Sequence, residues 1–225
     1  VLVLALDTTT PAGSAALVRD GDVLVEEAGD PALTHGRRLP RDLMRLLDRA
    51  GVQLHDVDLL AVAAGPGSFT GLRVGIATMQ GLAMAGNRRV VPVSALEALA
   101  RAGRNGVDPV AAWMDAQRGE VFAALYGADG AQLLVDPSSE PPARTLERWS
   151  PDLSGHERFV GDGAVRYREL IPPSCAIIEP VPPLAGFIGV MACEHPGRAV
   201  LPHAVVPIYV RRSDAELARD RKWSS

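Results

Sequence analysis

Few residues in this chain have the type and spacing to do chemistry, and the first candidates are Gly65-Pro66-Gly67-Ser68-Phe69-Thr70-Gly71. They follow the apolar run Leu59 to Ala64 and precede a long stretch of small residues. A strand, a glycine-rich turn and a helix in that order often cradle phosphate. A phosphate loop needs two glycines five positions apart and then lysine; Gly65 and Gly71 are one position too far apart, Gly67 and Gly71 one too close, and Leu72 stands where lysine belongs. A dinucleotide fingerprint would start at Gly65 and Gly67 but finds Thr70 at its third glycine. A nucleophile elbow on Ser68 would need glycine where Pro66 and Thr70 sit. What remains is a tight strand-to-helix turn with Ser68 or Thr70 capping the helix. The only lysine is Lys222, so neither a Schiff base nor a phosphate-loop lysine is available in the body of the chain. None of the histidines forms an i, i+4 pair for a metal, and the adjacent Cys193-Glu194-His195 would point apart on a helix. Asp7 and Asp115, each closing an apolar strand, have two readings. They could flank a cleft and hold a hydrated Mg²⁺, or each could tie its own turn through Asx hydrogen bonds; the tie is the reading we take.

The elements that would position these residues follow from periodicity. Strands are expected at Val1 to Leu6, Ser14 to Val18, Val23 to Glu26, Asp58 to Ala64 and Val90 to Val93, and helices at Pro40 to Ala50, Thr70 to Ala85 and Ala95 to Ala102. Alternating strands and helices predict an α/β fold with a mixed sheet. The pattern then recurs: Val1 to Glu26 resembles Val110 to Asp136, each running strand, Asp, polar turn, a strand through Ala-Ala-Leu, a glycine-closed turn and a third strand. An internal duplication accounts for this, giving an N-terminal lobe over residues 1–103, a C-terminal lobe over 104–212 and a polar tail helix over 213–225 opened by the capping box Ser213-Asp214-Ala215-Glu216. Residues Pro137 to Pro151, with four prolines, read mostly as loop. A net charge of −4 gives the whole molecule no electrostatic footprint for nucleic acid. Cys175 and Cys193 read as reduced thiols, no apolar run is long enough to span a membrane, and the opening VLVLALD reads as a strand and not a leader, so the expected location is cytoplasmic.

Between Gly65 and Gly86 the only charge is Arg73, and the apolar residues Leu72, Val74, Ile76, Met79, Leu82 and Met84 do not keep to one face. A helix apolar all round must be covered all round. Small residues at Gly71 and Gly75, and at Ala77, Gly81 and Ala85, would let another backbone come close. The cover is either a helix of the same chain or a partner's helix. Arg37, Arg41, Arg45 and Arg49 line one side of the preceding helix, with Asp42 and Asp48 near; they read as a solvated, salt-bridged face, or else as a patch for an acidic partner or tRNA.

ALDTTTPAGSAALVRDG, THGRRLPRDLMRLL, AVAAGPGSFTGLRVGIATMQGLA, VVPVSALEALA, MDAQRGEVFAALY and PIYVRR together resemble the TsaB (YeaZ) family, bacterial accessory proteins of tRNA threonylcarbamoyladenosine synthesis, over essentially the whole chain. The resemblance implies a two-lobed actin-like fold, ribonuclease H-like in each lobe and shared with sugar kinases and the Hsp70 ATPase. It implies a non-catalytic subunit that pairs with the paralogue TsaD for threonylcarbamoyl transfer to adenosine 37 of tRNAs reading codons that begin with A. TsaE, an ATPase, joins that pair, and alone such proteins form homodimers through the same face. TsaD holds a metal with an H-x-x-x-H pair; Ala95 and Leu99 stand in those places here, which counts against metal catalysis and the metallopeptidase reading. The stretches matching the family's contact helices place His35, Leu39, Leu43, Leu46, Ser68, Phe69, Thr70, Leu72, Arg73, Ile76, Met79 and Gln80 at the partner surface, so Ile76→Glu or Leu43→Glu is expected to abolish pairing while the fold survives. A vestigial nucleotide site would comprise Asp7, Thr8, Thr9, Asp115, Gly161, Asp162 and Gly163, with no cofactor in the isolated chain and ATP or ADP reserved for the joint surface. The rival is an active phosphotransferase using Asp7, Thr8, Thr9 and Asp115 around a nucleotide.

Overall fold

A computed structural model describes residues 1–211. The predicted tail helix from Ser213 lies outside the described residues. Strands β1 (Leu2–Asp7), β2 (Ser14–Arg19) and β3 (Asp22–Ala28) form an antiparallel meander, to which β4 (Leu59–Gly65) and β5 (Val90–Ser94) add in parallel beyond β1, in the order β3-β2-β1-β4-β5. The second sheet repeats this plan: β6 (Val110–Asp115), β7 (Val121–Tyr126) and β8 (Leu133–Glu140) make the meander, and β9 (Arg158–Val160) and β10 (Ala176–Ile178) run parallel beyond β6. The duplication seen in the sequence is thus a duplication of topology, and Asp7 and Asp115 close equivalent strands.

Every residue of β1 is buried because both faces of the sheet are covered. Side chains alternate across a strand. Leu2, Leu4 and Leu6 join Leu17, Leu60 and Val62 under the helices α1 (His35–Ala50) and α2 (Phe69–Ala85). Val3 and Ala5 join Ala16, Val18, Ala61 and Ala63 on the opposite face, against α6 (Ala185–Glu194). In the second sheet Ala111, Trp113, Ala123, Leu125 and Phe159 pack outward with Trp149 of α4 (Pro142–Trp149) and Ala164 of α5 (Asp162–Arg166). Its inner residues, Val110, Ala112, Met114, Phe122, Ala124 and Val160, meet α3 (Ala95–Gly103) in the same cluster that holds α6. One core therefore runs from sheet to sheet. Ser14 of β2 caps the far end of it, its hydroxyl accepting from the amides of Leu184 and Ala185 at 3.2 and 2.9 Å where α6 begins.

Two expectations are corrected. Residues 137–151 are not mostly loop: β8 runs through Pro137 and α4 fills 142–149. Neither proline is a breaker where it stands, since β8 is an edge strand and Pro142 opens its helix, where an amide would lack a partner anyway. Helix α1 starts at His35, five residues before the expected Pro40. Pro40 sits inside the helix on its solvent side above exposed Gly36, so the carbonyl it leaves free can bond to water. Gly51, in the left-handed region at φ 63°, ends α1 as expected.

Candidate partner-binding face and interlobe cleft

The glycine turn is occupied by the chain's own β1–β2 loop. The amide of Ser68 donates to the carbonyl of Thr9 at 2.9 Å, and the Thr8 hydroxyl donates to the carbonyl of Gly71 at 2.8 Å. A methyl group at Gly71 or Gly75 would collide with the carbonyl oxygen or hydroxyl of Thr8. These two glycines let the first turns of α2 lie directly on the loop, and the space a phosphate would need is filled by protein. Ser68 caps α2, its hydroxyl accepting from the Gly71 amide at 3.3 Å. On the other side of the turn the Ile208 amide donates to the Ala64 carbonyl at 2.7 Å, and Tyr209 stacks on Phe69 with centroids 5.8 Å apart. Arg73 lies 4.0 Å over the Phe69 ring.

The structure divides the expected partner residues into two sets. Leu39, Leu43, Leu46, Leu72, Ile76 and Met79 are all buried against the sheet. They seat α1 and α2 on this chain and offer no surface to another, which corrects their assignment; Ile76→Glu or Leu43→Glu would place a charge in the core and test folding, not pairing. Ser68, Phe69, Thr70 and Arg73 are exposed, and His35 and Gln80 are half-buried. Gln80 is engaged with the chain itself, donating to the carbonyls of Pro202 and Val205 at 2.9 and 3.2 Å. His35 bonds through Nε2 to the Thr10 carbonyl at 3.0 Å and accepts at Nδ1 from Arg38 at 2.9 Å. Burial, helped by the Arg38 charge, holds its pKa below the ordinary histidine value.

Sequence reasoning picked out Ala77, Gly81 and Ala85 as a row for close approach but left Met44 and Met84 out of the partner surface. Met44 is 58% exposed and Met84 is 70% exposed, while Ala77, Gly81 and Ala85 form an uncovered row along α2. Among the described residues nothing lies within 4 Å of where a Cβ on Gly81 would be. So one row of small residues, Gly71 and Gly75, faces in, and the other faces out. Met44 was readable, since it falls off the Leu39-Leu43-Leu46-Leu47 stripe. Arg38 was also missed: it is buried, paired with Asp42 at 2.7 Å and bonded to the Ala12 carbonyl, and so pins α1 to the β1–β2 loop. Of the arginine stripe, Arg45 and Arg49 pair with Glu27 of β3, as a salt-bridged face requires. Arg37 and Arg41 are exposed and make no ion pair among the described residues.

The second feature is a cleft of about 390 Å³ between the lobes. Of the residues expected at a vestigial nucleotide site, Asp7, Gly161 and Asp162 line it, but Thr8, Thr9, Asp115 and Gly163 do not. Asp7 accepts from the amide and hydroxyl of Thr9 at 2.8 and 2.6 Å. Asp115 accepts from the amide of Gln117 and pairs with Arg166 at 3.3 Å. Each carboxylate thus ties its own turn. The carboxylate opposite Asp7 is Asp162, which accepts from the amides of Asp115 and Gly163, both at 3.0 Å. Burial raises the pKa of both Asp7 and Asp162. The remaining walls are largely apolar, including Pro11, Pro31, Leu99, Met114 and Pro182, and among the described residues no lysine or arginine lines the cleft. A bare polyphosphate there would meet two carboxylates and, among the described residues, no cationic side chain. Among the described residues no three His, Cys, Asp or Glu side chains converge as a metal centre needs.

Known proteins carry the same plan. Residues 30–173 match the family model described as TsaD, tRNA N6-adenosine threonylcarbamoyltransferase. A relative from Escherichia coli K12 named tRNA threonylcarbamoyladenosine biosynthesis protein TsaB is 33% identical, the match covering 95% of this chain and 96% of that protein. The solved structure of YeaZ from Pseudomonas aeruginosa is 34% identical with a TM-score of 0.78, over 92% of this chain and 99% of that one. An ADPNP-bound activator of 2-hydroxyisocaproyl-CoA dehydratase from Clostridium difficile superposes with a TM-score of 0.54 over 87% of this chain and 95% of that one; at 12% identity this is a likeness of fold alone. The two-lobed, actin-like α/β architecture expected from the sequence is borne out.

Proposed function

Because the chain belongs to the TsaB (YeaZ) family, we propose that it is the accessory subunit of tRNA N6-threonylcarbamoyladenosine synthesis. It pairs with a TsaD-type paralogue through the outward face of α1 and α2 and supports that subunit's transfer of threonylcarbamoyl to adenosine 37 of tRNAs reading codons that begin with A. The observation that carries this reading is the uncovered row Ala77, Gly81 and Ala85 flanked by exposed Met84 and Met44. Small residues allow close helix approach, and flexible methionines fill an interface without demanding one geometry. The subunit does no bond-making itself: Ala95 and Leu99, in the places of the TsaD histidines, are buried in the central core. A nucleotide used by the complex belongs at the joint surface, since among the described residues the cleft of this chain offers it no cationic side chain. TsaE joins the assembled pair, and the same face is the surface for self-pairing when the paralogue is absent. No helix among the described residues is long and apolar enough to cross a membrane, in keeping with work in the cytoplasm beside tRNA.

Co-expression with the paralogue tests the reading. The wild-type chain is expected to purify with it one to one. Met44→Glu/Met84→Glu, altering two exposed side chains, should keep the monomer's melting curve and lose at least about 90% of the co-purified partner, because each carboxylate would be desolvated at the contact. Unchanged co-purification by that variant would remove the face from the interface.

A further inference from the structure

The chain as a whole is acidic, with a net charge of −4, yet the outward face of α1 and α2 is basic. Arg37 and Arg41 on α1 and Arg73 on α2 are exposed, and none pairs with a carboxylate among the described residues. Helix α2 contains no acidic residue, and neither helix has one in its first turn. Their positive N-terminal ends are therefore left uncompensated on the same side as the three guanidiniums. Asp42 is held by Arg38 and Arg45 at 2.7 and 3.5 Å, so Asp48 is the one exposed carboxylate of α1 without an ion pair among the described residues.

A twofold pair of identical chains presents one patch to itself. Each face would then offer one carboxylate to three guanidiniums, in a contact whose centre is apolar and poor in water. Like charges brought together in that way are a strong device against the wrong partner. Resting on the partner-binding reading above, we propose that this face selects a different chain, one whose own helix pair is apolar at the centre and rimmed by Asp and Glu, and discriminates by charge against a second copy of itself. Protein is the occupant and not RNA, because Ala77, Gly81, Met44 and Met84 leave the rest of the face apolar, and the arginines sit at one end instead of forming a continuous basic track.

Sedimentation velocity on the full chain, alone and with the co-expressed paralogue, tests this. Wild-type self-association should tighten as salt is raised from about 50 to about 500 mM, while pairing with the paralogue weakens, since screening relieves repulsion and attraction alike. Arg37→Gln/Arg41→Gln should tighten self-association about tenfold at low salt and weaken the heterodimer about tenfold, mainly through slower association. Equimolar wild type and Arg37→Glu/Arg41→Glu should form mixed dimers beyond the statistical half. A homodimer that loosens with salt, or a glutamine variant with both affinities unchanged, overturns the charge selection. If Met44→Glu/Met84→Glu abolishes pairing while the arginine variants do nothing, the face stands and only the selection falls; if neither set matters, the face itself is wrong. Labelled tRNA bound by the isolated chain and released by the glutamine variant would replace the acidic protein with RNA and also overturn the proposal.

Discussion

Asp7 ends a strand buried on both faces, and among the described residues its carboxylate reaches only Thr9 for hydrogen bonds. Burial raises its pKa above the usual 3.8; the Thr9 bonds oppose that shift, and the charge of Asp162 across the cleft adds to it. The folded chain therefore holds this proton more tightly than the unfolded chain does. Stability from the protonated group is fully present below the unfolded value and is lost as pH rises through the folded one. Asp7→Asn keeps an oxygen for Thr9 and has no charge to bury, so it should be more stable than wild type at pH 7 and indistinguishable near pH 3.5. Urea midpoints at the two pH values measure this, and an equal offset at both would refute burial of the charge as the cause. Such a tie was legible in the sequence because Asp7 and Thr9 are two positions apart and an Asx turn is local. That Asp162, not Asp115, faces Asp7 was not legible, since it depends on where α5 sets its first residue after β9.

Helix α1 separates its polar and apolar sides, so the inward stripe Leu39, Leu43, Leu46 and Leu47 could be read from spacing alone and all four are buried. Helix α2 is apolar all round, and spacing could find its two rows of small residues without saying which one met the sheet. The rows lie roughly 240° apart, six residues on at 100° each, and only the Thr8–Thr9 loop decides between them. This difference has a measurable consequence. Gly75→Val drives a branched side chain into the Thr8 hydroxyl and disturbs its bond to Gly71, and should cost about 2–3 kcal/mol of stability as an overpacked core site. Gly81→Val, in open space on the same helix, should change stability by less than about 1 kcal/mol yet block close approach of the partner. Denaturant midpoints and co-purification with the paralogue separate the two effects. A destabilised Gly81→Val, or a Gly75→Val that melts like wild type, would reverse the orientation assigned to α2.

At the scale of the molecule, the duplication was visible as a repeated run of letters, whereas the exchange of helices between the halves was not. Helix α3 belongs by sequence to the first half but packs on the second sheet, and α6 belongs to the second half but covers the first. Short apolar helices carry no local mark of which sheet they will meet. Because both helices share one buried cluster, neither sheet can lose its inner cover without exposing the other's. The lobes should therefore unfold together. In urea, the fluorescence of Trp113 and Trp149, buried in the outer core of the second lobe, and far-UV circular dichroism from the whole chain should give superimposable transitions with one midpoint. A fragment ending at Gly103 would leave the inner residues Val3, Ala5, Ala16 and Val18 without α6 and α3 without its sheet, so it should show no cooperative transition. Two resolved midpoints, or a residue 1–103 fragment that melts sharply, would mean that the central cluster joins two independent domains instead of forming the single core on which the α1–α2 face is held rigid for its partner.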